Sequence, residues 1–325
     1  MGDDVTAFSK ETGGAQRVSR GDFVRSFQIE GMNVRGRIVH LTGLADRVLA
    51  AHAYPEPVSR VVGEALALTA LRGASLKFDG VLTLQTRGDG PLRMVVADYS
   101  SPGTLRACAT FDRDAVAGLG PMPAFEDLVG TGSLAITIDP GGDMERYQGI
   151  VPLDGAGLGE AATSYFEQSE QIPTRIRLSV ATLSSRGDPE GRPRWRAGGV
   201  VIQNLAALGG RDAPEPGRDV DEDWNRASIL FSTIEPHELV DPQVEAERLL
   251  FRLYHEDGVR VFETQDLKFG CRCSAERVSS VLSQYSESEV RELAEEDGLV
   301  RATCEFCSTV YGFQPDELLK AQTAT

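Results

Sequence analysis

Four cysteines near the C-terminal end of the 325-residue chain carry the clearest chemistry in the sequence. They form two short pairs, Cys271-Arg-Cys273 and Cys304-Glu-Phe-Cys307, which are separated by thirty residues. Zn²⁺ is commonly bound by four thiolates in a tetrahedron, and two short pairs joined by a longer segment let the chain fold back so that each pair supplies two corners. The spacing therefore predicts that these residues bind one zinc ion per chain.

A site of this kind admits three roles. The usual role of a four-cysteine zinc site is structural. Four thiolates around one Zn²⁺ leave a net charge of about −2 and keep the sulfurs in the form that oxidants attack, so a redox switch is also chemically possible. The second pair is in addition a common motif of thiol oxidoreductases. The spacing alone leaves all three roles open.

The residues between the pairs predict the elements that hold them. Apolar residues recur at helical spacing from 278 to 285, and Ser286 with Glu289 forms a capping-box pattern at the start of a second helix. Residues 300–313 predict a hairpin that contains the second pair. A module over residues 266–325 has little apolar surface of its own, so the metal must contribute on the order of 10 kcal/mol to its folding.

The charge of the chain and its lack of a phosphate-binding motif argue against two kinds of partner, nucleic acid and ATP. The net charge is −16, and residues 211–325 hold 25 acidic against 12 basic side chains, whereas residues 1–210 hold 24 against 21. Zinc modules that bind nucleic acid need basic patches to neutralise phosphates, so no nucleic acid partner is expected. The sequence has no glycine-rich phosphate loop with a lysine, and no use of ATP is expected either.

The N-terminal end and the hydropathy of the chain bear on its location. Residues 1–20 are polar and are predicted to form a disordered tail without an apolar signal core. No run of 18 apolar residues occurs anywhere in the chain. These features predict a cytoplasmic protein without a membrane partner.

Residues 21–208 predict an α+β domain in which helices are interspersed among the strands of a mixed α/β-sheet structure. Alternating apolar residues predict strands at 34–40, 76–86, 92–98, 105–111, 133–138, 175–183 and 200–202. Helical spacing predicts helices at 57–72 and 157–168. The loop at 186–196 holds four arginines and is interpreted as a solvated hairpin tip in preference to a small anion site.

Residues 209–265 predict a metastable helical linker to the small C-terminal zinc-binding domain. The linker opens with a stretch rich in proline, glycine and charge, and amphipathic helices are expected at 223–232 and 241–256, the second capped by Asp241. The apolar residues of these helices need a surface to dock on and would form an exposed patch if they came away. They are Trp224, Ile229, Leu230, Phe231, Leu249, Leu250 and Leu253.

Three stretches of sequence resemble a known family, the redox-regulated 33 kDa heat-shock chaperones, also called the 33 kDa chaperonins. The most specific stretch is residues 249–278, which begins Leu-Leu-Phe-Arg-Leu-Tyr-His-Glu-Asp-Gly and ends Phe-Gly-Cys-Arg-Cys-Ser-Ala-Glu-Arg-Val. Residues 165–174 and 197–205 also look like family motifs. The resemblance covers nearly the whole chain beyond the polar tail.

The resemblance implies a holdase with an N-terminal client-binding domain, a linker and a zinc switch. In such proteins the reduced, zinc-bound form is inactive, and oxidation joins near neighbours, here Cys271 with Cys273 and Cys304 with Cys307. Zinc is then released, the linker unfolds, and unfolding client proteins are held without ATP on apolar surface such as the seven linker residues above. Oxidised members also tend to form homodimers. No catalytic residue is expected, while a thiol-disulfide oxidoreductase and an interaction module with a purely structural zinc remain the alternatives.

His255 and Cys108 are not expected to be functional groups. His255 could be imagined as a metal ligand, but four cysteines already complete a tetrahedral site, so it is expected to pack or to form a hydrogen bond. Cys108 lies in a predicted strand and is expected to be an inert small side chain. The remaining histidines are scattered, so hydrolytic chemistry has no support.

Overall fold

The computed structural model describes residues 21–76, 79–142, 144–184, 191–205 and 219–322. The predicted tail at 1–20 and the start of the predicted linker at 209–218 lie outside these described residues. The chain divides into two compact units, Met1–Phe269 and Gly270–Thr325. Within the described ranges, no helix is both long and apolar enough to span a bilayer.

The first unit is an alternation of strands and helices. Its strands are β1 Phe23–Ile29, β2 Val34–Leu41, β3 Val81–Gly88, β4 Leu92–Ser100, β5 Thr104–Phe111, β6 Gly132–Asp139, β7 Tyr147–Pro152, β8 Thr174–Leu183, β9 Arg194–Asn204, β10 Val259–Asp266 and β11 Lys268–Phe269. Its α-helices are α1 Gly43–His52, α2 Glu56–Gly73, α3 Arg113–Gly118, α4 Phe125–Val129, α5 Leu158–Tyr165, α6 Val220–Ser232 and α7 Ala246–Tyr254. A π-helical turn, Phe166–Glu170, follows α5, and a 3-10 turn, Pro236–Leu239, lies between α6 and α7.

The strands form two sheets. The five-stranded sheet has the order β10-β1-β2-β9-β8 and is antiparallel throughout. The six-stranded sheet has the order β11-β5-β4-β3-β6-β7, in which only β11 pairs in parallel. The short segment from β10 to β11 therefore supplies an edge strand to each sheet.

Two hydrophobic cores flank the five-stranded sheet, because successive side chains of a strand point to opposite faces. The first core lies between this sheet, α1, α2, α5 and the six-stranded sheet; it includes Val24, Val39 and Val201. The second core lies on the opposite face under α6 and α7. Its buried residues are Phe23, Phe27, Ile29, Met32, Val34, Ile38, Val200, Ile202, Ala227, Phe231, Ile234, Leu239, Ala246, Leu249, Leu250, Leu253 and Tyr254.

The predicted hairpin is formed by β8 and β9, but at its described end, residues 191–196, the arginines are not simply solvated. Arg192 donates from both terminal nitrogens to the carboxylate of Asp46 in α1, at 2.8 and 2.7 Å. Arg194 and the backbone N–H of Trp195 donate to the same carboxylate at 3.1 and 3.0 Å. Asp46 is only 6% exposed, so a buried anion satisfied by two arginines anchors this loop.

The predicted linker helices dock on the five-stranded sheet, with one boundary in a different place. The prediction that Asp241 caps a helix at 241–256 is wrong, because α7 begins at Ala246. Asp241 instead stabilises a turn: its carboxylate accepts from Gln243 N at 2.8 Å and its carbonyl from Val244 N at 3.1 Å. The segment also ends in a strand, β10, which was not predicted.

A glycine on β9 allows the linker to approach the sheet closely. A Cβ atom on Gly198 would lie 2.0 Å from the backbone oxygen of Leu239, in the 3-10 turn between α6 and α7. Only glycine leaves room for backbone to lie on backbone at this distance. The Ala-Gly-Gly-Val phrase that begins at residue 197 is thus a contact surface for the linker.

The second unit is small. It contains α8 Ala275–Leu282, α9 Glu287–Glu292, β12 Val300–Thr303, β13 Val310–Phe313 and α10 Pro315–Gln322. The capping box predicted at Ser286 is present, with both reciprocal bonds to Glu289. The predicted hairpin is formed by β12 and β13, which pair antiparallel. Its hydrophobic core has three buried residues, Val290, Val300 and Leu318, which is far less than the first unit has.

Candidate metal centre

Two short irregular segments present the four cysteines. Cys271 and Cys273 lie just before α8, whose N-cap, Ser274, accepts a hydrogen bond from the backbone of Arg277. Cys304 and Cys307 lie in the turn between β12 and β13. This turn is closed by backbone bonds from Cys304 N to Thr309 O and from Ser308 N to Cys304 O, both 2.9 Å long.

The four sulfurs form one cluster. All lie within 4.8 Å of one another. Cys271 Sγ is 3.6 Å from Cys304 Sγ, and Cys273 Sγ is 3.4 Å from Cys307 Sγ, so the two short pairs face each other. All four are free thiols. Sulfurs at about 2.3 Å from one tetrahedral Zn²⁺ would be about 3.8 Å apart, so the donor set and its spacing fit such an ion.

Hydroxyl groups on the hairpin contact two of the sulfurs. The Tyr311 hydroxyl donates to Cys273 Sγ at 3.1 Å, and the Thr309 hydroxyl lies 3.2 Å from Cys307 Sγ. Neither residue was predicted as part of the site. Their positions two and four residues after Cys307 were the available signal, since the turn brings that stretch of β13 back along the cluster.

These contacts shift the thiol pKa values in different directions. Burial is the largest cause that raises the pKa of Cys304, to about 12. Burial also opposes ionisation of Cys307, but hydrogen bonds from the hydroxyl and backbone of Thr309 outweigh it and lower the pKa to about 6. At Cys273 the Tyr311 hydroxyl favours the thiolate, while burial and neighbouring thiols leave the pKa raised. Cys307 is therefore the first of these three sulfurs to ionise.

An apolar hollow adjoins the cluster within the second unit. Its volume is about 300 Å³, and its walls include Cys273, Cys304 and the α8 residues Val278, Val281 and Leu282. Val281 is 58% exposed. The sulfurs thus have an apolar hollow on one side and the hydroxyls of Thr309 and Tyr311 nearby.

The apolar linker residues predicted as a client surface lie on α6 and α7. Leu249, Leu250, Leu253 and Phe231 are buried in the second core. Trp224 and Leu230 are partly buried against it, whereas Ile229 is 58% exposed. The structure therefore brings six of the seven together in the second core.

The two residues set aside in the sequence have ordinary environments. His255 follows α7, where its Nδ1 lies 3.1 Å from the backbone oxygen of Phe251 and its ring packs against the Phe251 ring. Packing and hydrogen bonding were the roles expected for it. Cys108 is buried within β5 at 7% exposure.

The fold and the site together define a class: an α+β protein with a small separate unit built around four thiols. A family model described as Hsp33 protein matches residues 22–314. The chain therefore belongs to the Hsp33 family, as its resemblance to the 33 kDa chaperonins implied.

Known proteins match this chain along nearly its full length. The chain is 44% identical over 297 residues to a 33 kDa chaperonin of Caulobacter vibrioides, a match that covers 90% of this chain and 95% of that protein. It is 38% identical over 298 residues to a 33 kDa chaperonin of Ectopseudomonas mendocina, covering 91% and 94%. The crystal structure of an Hsp33 homologue from Thermotoga maritima superposes with a TM-score of 0.75 at 24% identity, covering 93% of this chain and 99% of that chain, and so shares the fold.

Proposed function

We propose that this protein is an ATP-independent chaperone that holds unfolding proteins and is switched on by oxidation of its four clustered cysteines. The observation that carries the proposal is the cluster itself. Four thiols converge in a unit whose core has only three buried residues, so the state of the sulfurs decides whether the unit stays folded. Membership of the Hsp33 family supports the chaperone role.

In the resting form Cys271, Cys273, Cys304 and Cys307 would hold one Zn²⁺. When bound, that ion supplies a fourfold cross-link between the segment before α8 and the β12–β13 turn. The protein's own contribution is to bring the thiolates together and to orient two of them through Tyr311 and Thr309. The identity of the metal has to be measured, because four thiolates also bind other thiophilic ions.

Oxidation would convert the thiols to disulfides. Two thiolates and two protons with one molecule of a peroxide such as H₂O₂ give one disulfide and two waters, so the sulfurs lose two electrons and the peroxide gains them. The near-neighbour pairing, Cys271 with Cys273 and Cys304 with Cys307, uses all four sulfurs. Disulfide sulfurs are poor metal ligands, so the cross-link is lost along with the thiolates.

The linker over residues 209–265 would then come away from the first unit. The chain continues directly from β10 and β11 into Cys271, so loss of order around the cysteines would begin next to the end of the linker, which β11 holds to β5. Release of α6 and α7 would uncover the second core and six of the seven predicted residues, and it would free the seventh, Ile229, which is already exposed. The six are Trp224, Leu230, Phe231, Leu249, Leu250 and Leu253. Such a surface suits unfolded or partly folded client proteins. The same surface would make the oxidised form a homodimer.

A thiol-disulfide oxidoreductase is the weaker alternative. Such enzymes place an exposed low-pKa thiol at the start of a helix. Here Cys304 and Cys307 lie in a hairpin turn, and all four sulfurs face one another. We therefore propose a cytoplasmic binding protein without catalytic residues and without an ATP or nucleic acid partner. An interaction module with a purely structural zinc differs in one respect: peroxide would leave its metal bound.

The test measures metal and chaperone activity on the same sample. Reduced protein should contain about one zinc per chain, release it on mild peroxide treatment and rebind it on reduction. The oxidised sample should suppress light scattering by an aggregating client, and the reduced sample should not. Cys108→Ser is the matched control and should behave like the unchanged protein. Zinc that stays bound in peroxide contradicts the switch, and full aggregation with the oxidised sample contradicts the chaperone.

A further inference from the structure

Strand β10 closes one edge of the five-stranded sheet. Its residues pair antiparallel with β1, from Val259 opposite Ile29 to Asp266 opposite Phe23. Just beyond this ladder, the backbone N–H of Glu30 donates to the oxygen of Gly258 at 2.8 Å. Hydrogen-bonding groups alternate in direction along an antiparallel strand. The N–H of Gln28 therefore also faces β10, and the N–H of Arg260 faces β1.

β10 is held less firmly than the strand it covers. None of its eight side chains is buried, whereas four of the seven side chains of β1 are. Val259 and Val261 pack against the second core at its margin. The ion pair between Arg260 and Glu30, at 2.6 Å, is exposed on both sides and contributes little. Near its C-terminal end, Thr264 accepts from Arg25 at 3.0 Å and Gln265 donates to the Tyr99 hydroxyl at 2.7 Å. Elsewhere β10 serves chiefly as a backbone cover for the edge of β1.

The position of β10 in the chain makes this cover removable. Only four residues separate its end, Asp266, from Cys271. At its other end it follows α7 directly, through a turn in which Asp257 pairs with Arg226 of α6 at 3.0 Å. The end nearer the cysteines is held by β11, whose two residues pair with β5. A linker that comes away together with β11 thus frees β10 from both ends and leaves unpaired those N–H and C=O groups of β1 that face it.

We infer that client proteins bind by strand addition: an extended segment of the unfolded client takes the place of β10 on the edge of β1. This inference rests on the proposed holdase function and supplies its mode of binding. An open edge beside an apolar face is a template for any extended chain, because backbone hydrogen bonds are independent of sequence. It would let one site hold many different clients.

The surroundings of β10 on the edge of β1 also predict which client segments would bind best. The side chains in the places of Val259 and Val261 face the second core, so apolar residues are favoured at alternate positions. The place of Arg260 lies opposite Gln28, and the Arg260 side chain pairs with Glu30, so a basic residue is favoured between the two apolar ones. A client segment that alternates apolar and basic residues is the preferred ligand, and one with proline in the central positions is excluded.

The test uses the full-length chain and three synthetic peptides of residues 259–266. The unmodified peptide should bind the oxidised protein, fail to bind the reduced protein and compete with an aggregating client. Methylation of the backbone nitrogen at Arg260 removes a donor that faces β1 and should weaken binding at least tenfold. Methylation at Val261 removes an N–H that faces away from β1, so this matched control should bind almost as the unmodified peptide does.

Hydrogen exchange at β1 provides the second measurement. The amides of Gln28 and Glu30 should be protected in the reduced protein, exchange rapidly after oxidation and regain protection when a client is bound. Equal binding of the two methylated peptides would overturn strand addition. Rapid exchange of these two amides while a client is bound would overturn it as well. Neither result would contradict the proposed holdase function. Protection that persists in oxidised, client-free protein also overturns it, because β10 or a second copy then keeps the edge. Failure of the proposed function shows separately, as unsuppressed client aggregation.

Discussion

Individual contacts at the sulfurs would set how tightly the second unit binds a metal ion. The cluster of four cysteines could be predicted from spacing alone, since two short pairs can supply the four corners of a tetrahedral site. Tyr311 and Thr309 could not, because their role depends on the turn that carries them back to Cys273 and Cys307. Ligands are visible in a sequence, while the groups that orient them become visible only in the fold.

Tyr311→Phe should lower zinc affinity by about tenfold, because groups that hydrogen-bond to metal ligands typically contribute this much. The change removes the donor to Cys273 and keeps the ring. Competition with a chromogenic chelator measures the affinity. Tyr285→Phe removes a hydroxyl from the turn between α8 and α9 of the same unit and should leave zinc affinity unchanged. Equal affinities for the two variants would show that the Tyr311 hydroxyl has no role at the metal.

Asp46→Asn should destabilise the first unit by about 2 kcal/mol, since it weakens charge-assisted bonds from Arg192 and Arg194. Burial opposes ionisation of Asp46, but these partners and the Trp195 N–H outweigh it and hold its pKa below 3.8. A lowered pKa in the folded state stabilises the fold above about pH 3.8, and the contribution is lost as pH falls through the folded value. The difference in urea stability between the two proteins should therefore be present at pH 7 and shrink in acid. The exposed Asp154→Asn is the control, and a difference that persists at low pH would contradict the ion pairs as its cause.

Among the elements, the linker is the part whose structure departs most from the sequence pattern. Several strands of the first unit were predicted within a few residues because their burial is regular, as in the alternation along β3 and β6. Other elements, β1, β7 and α1 among them, were not predicted. β10 has no such regularity: its side chains are half-exposed, and its pairing is dictated by the edge of β1. Asp241 followed by proline is a normal helix start, yet the local turn at Gln243 delays α7 to Ala246.

Leu250→Ala should weaken the docking of α7 by about 2–5 kcal/mol, because Leu250 is fully buried in the second core and its loss leaves a cavity. Under the proposed function the reduced protein should then suppress client aggregation in part, without oxidant. Phe251→Ala, at a neighbouring side chain that is 53% exposed, is the matched control and should change little. If the reduced Leu250→Ala protein is destabilised but does not suppress client aggregation, undocking of the linker is not what activates the chaperone.

At the scale of the whole molecule, the two units depend on different sources of stability. The first unit has two extensive cores around the five-stranded sheet, whereas three residues form the core of the second. Domains with so little buried apolar surface usually require a metal or disulfides to fold. This difference was predictable from the sequence, since residues 266–325 are too few to bury a large core and carry an excess of acidic side chains.

Chelation of the metal from reduced protein should therefore unfold the second unit and leave the first folded. The order of α8, α9 and the β12–β13 hairpin should be lost, and trypsin should then cleave at Arg277, Arg291 and Arg301. Limited proteolysis with mass spectrometry measures this, with zinc added back as the control. A second unit that stays resistant without metal would show that its small core suffices.

The two faces of the five-stranded sheet imply different histories of substitution. On the face toward α2, a change that improves packing only makes the fold more robust. On the face toward α6 and α7, the same improvement would bind the linker more tightly and, under the proposed function, raise the oxidant dose needed to release it. Under selection for heat resistance alone, stabilising substitutions should thus accumulate freely around Val39 and Val201. Around Ile38 and Ile202 the same substitutions would raise stability but make the protein respond less readily to oxidant.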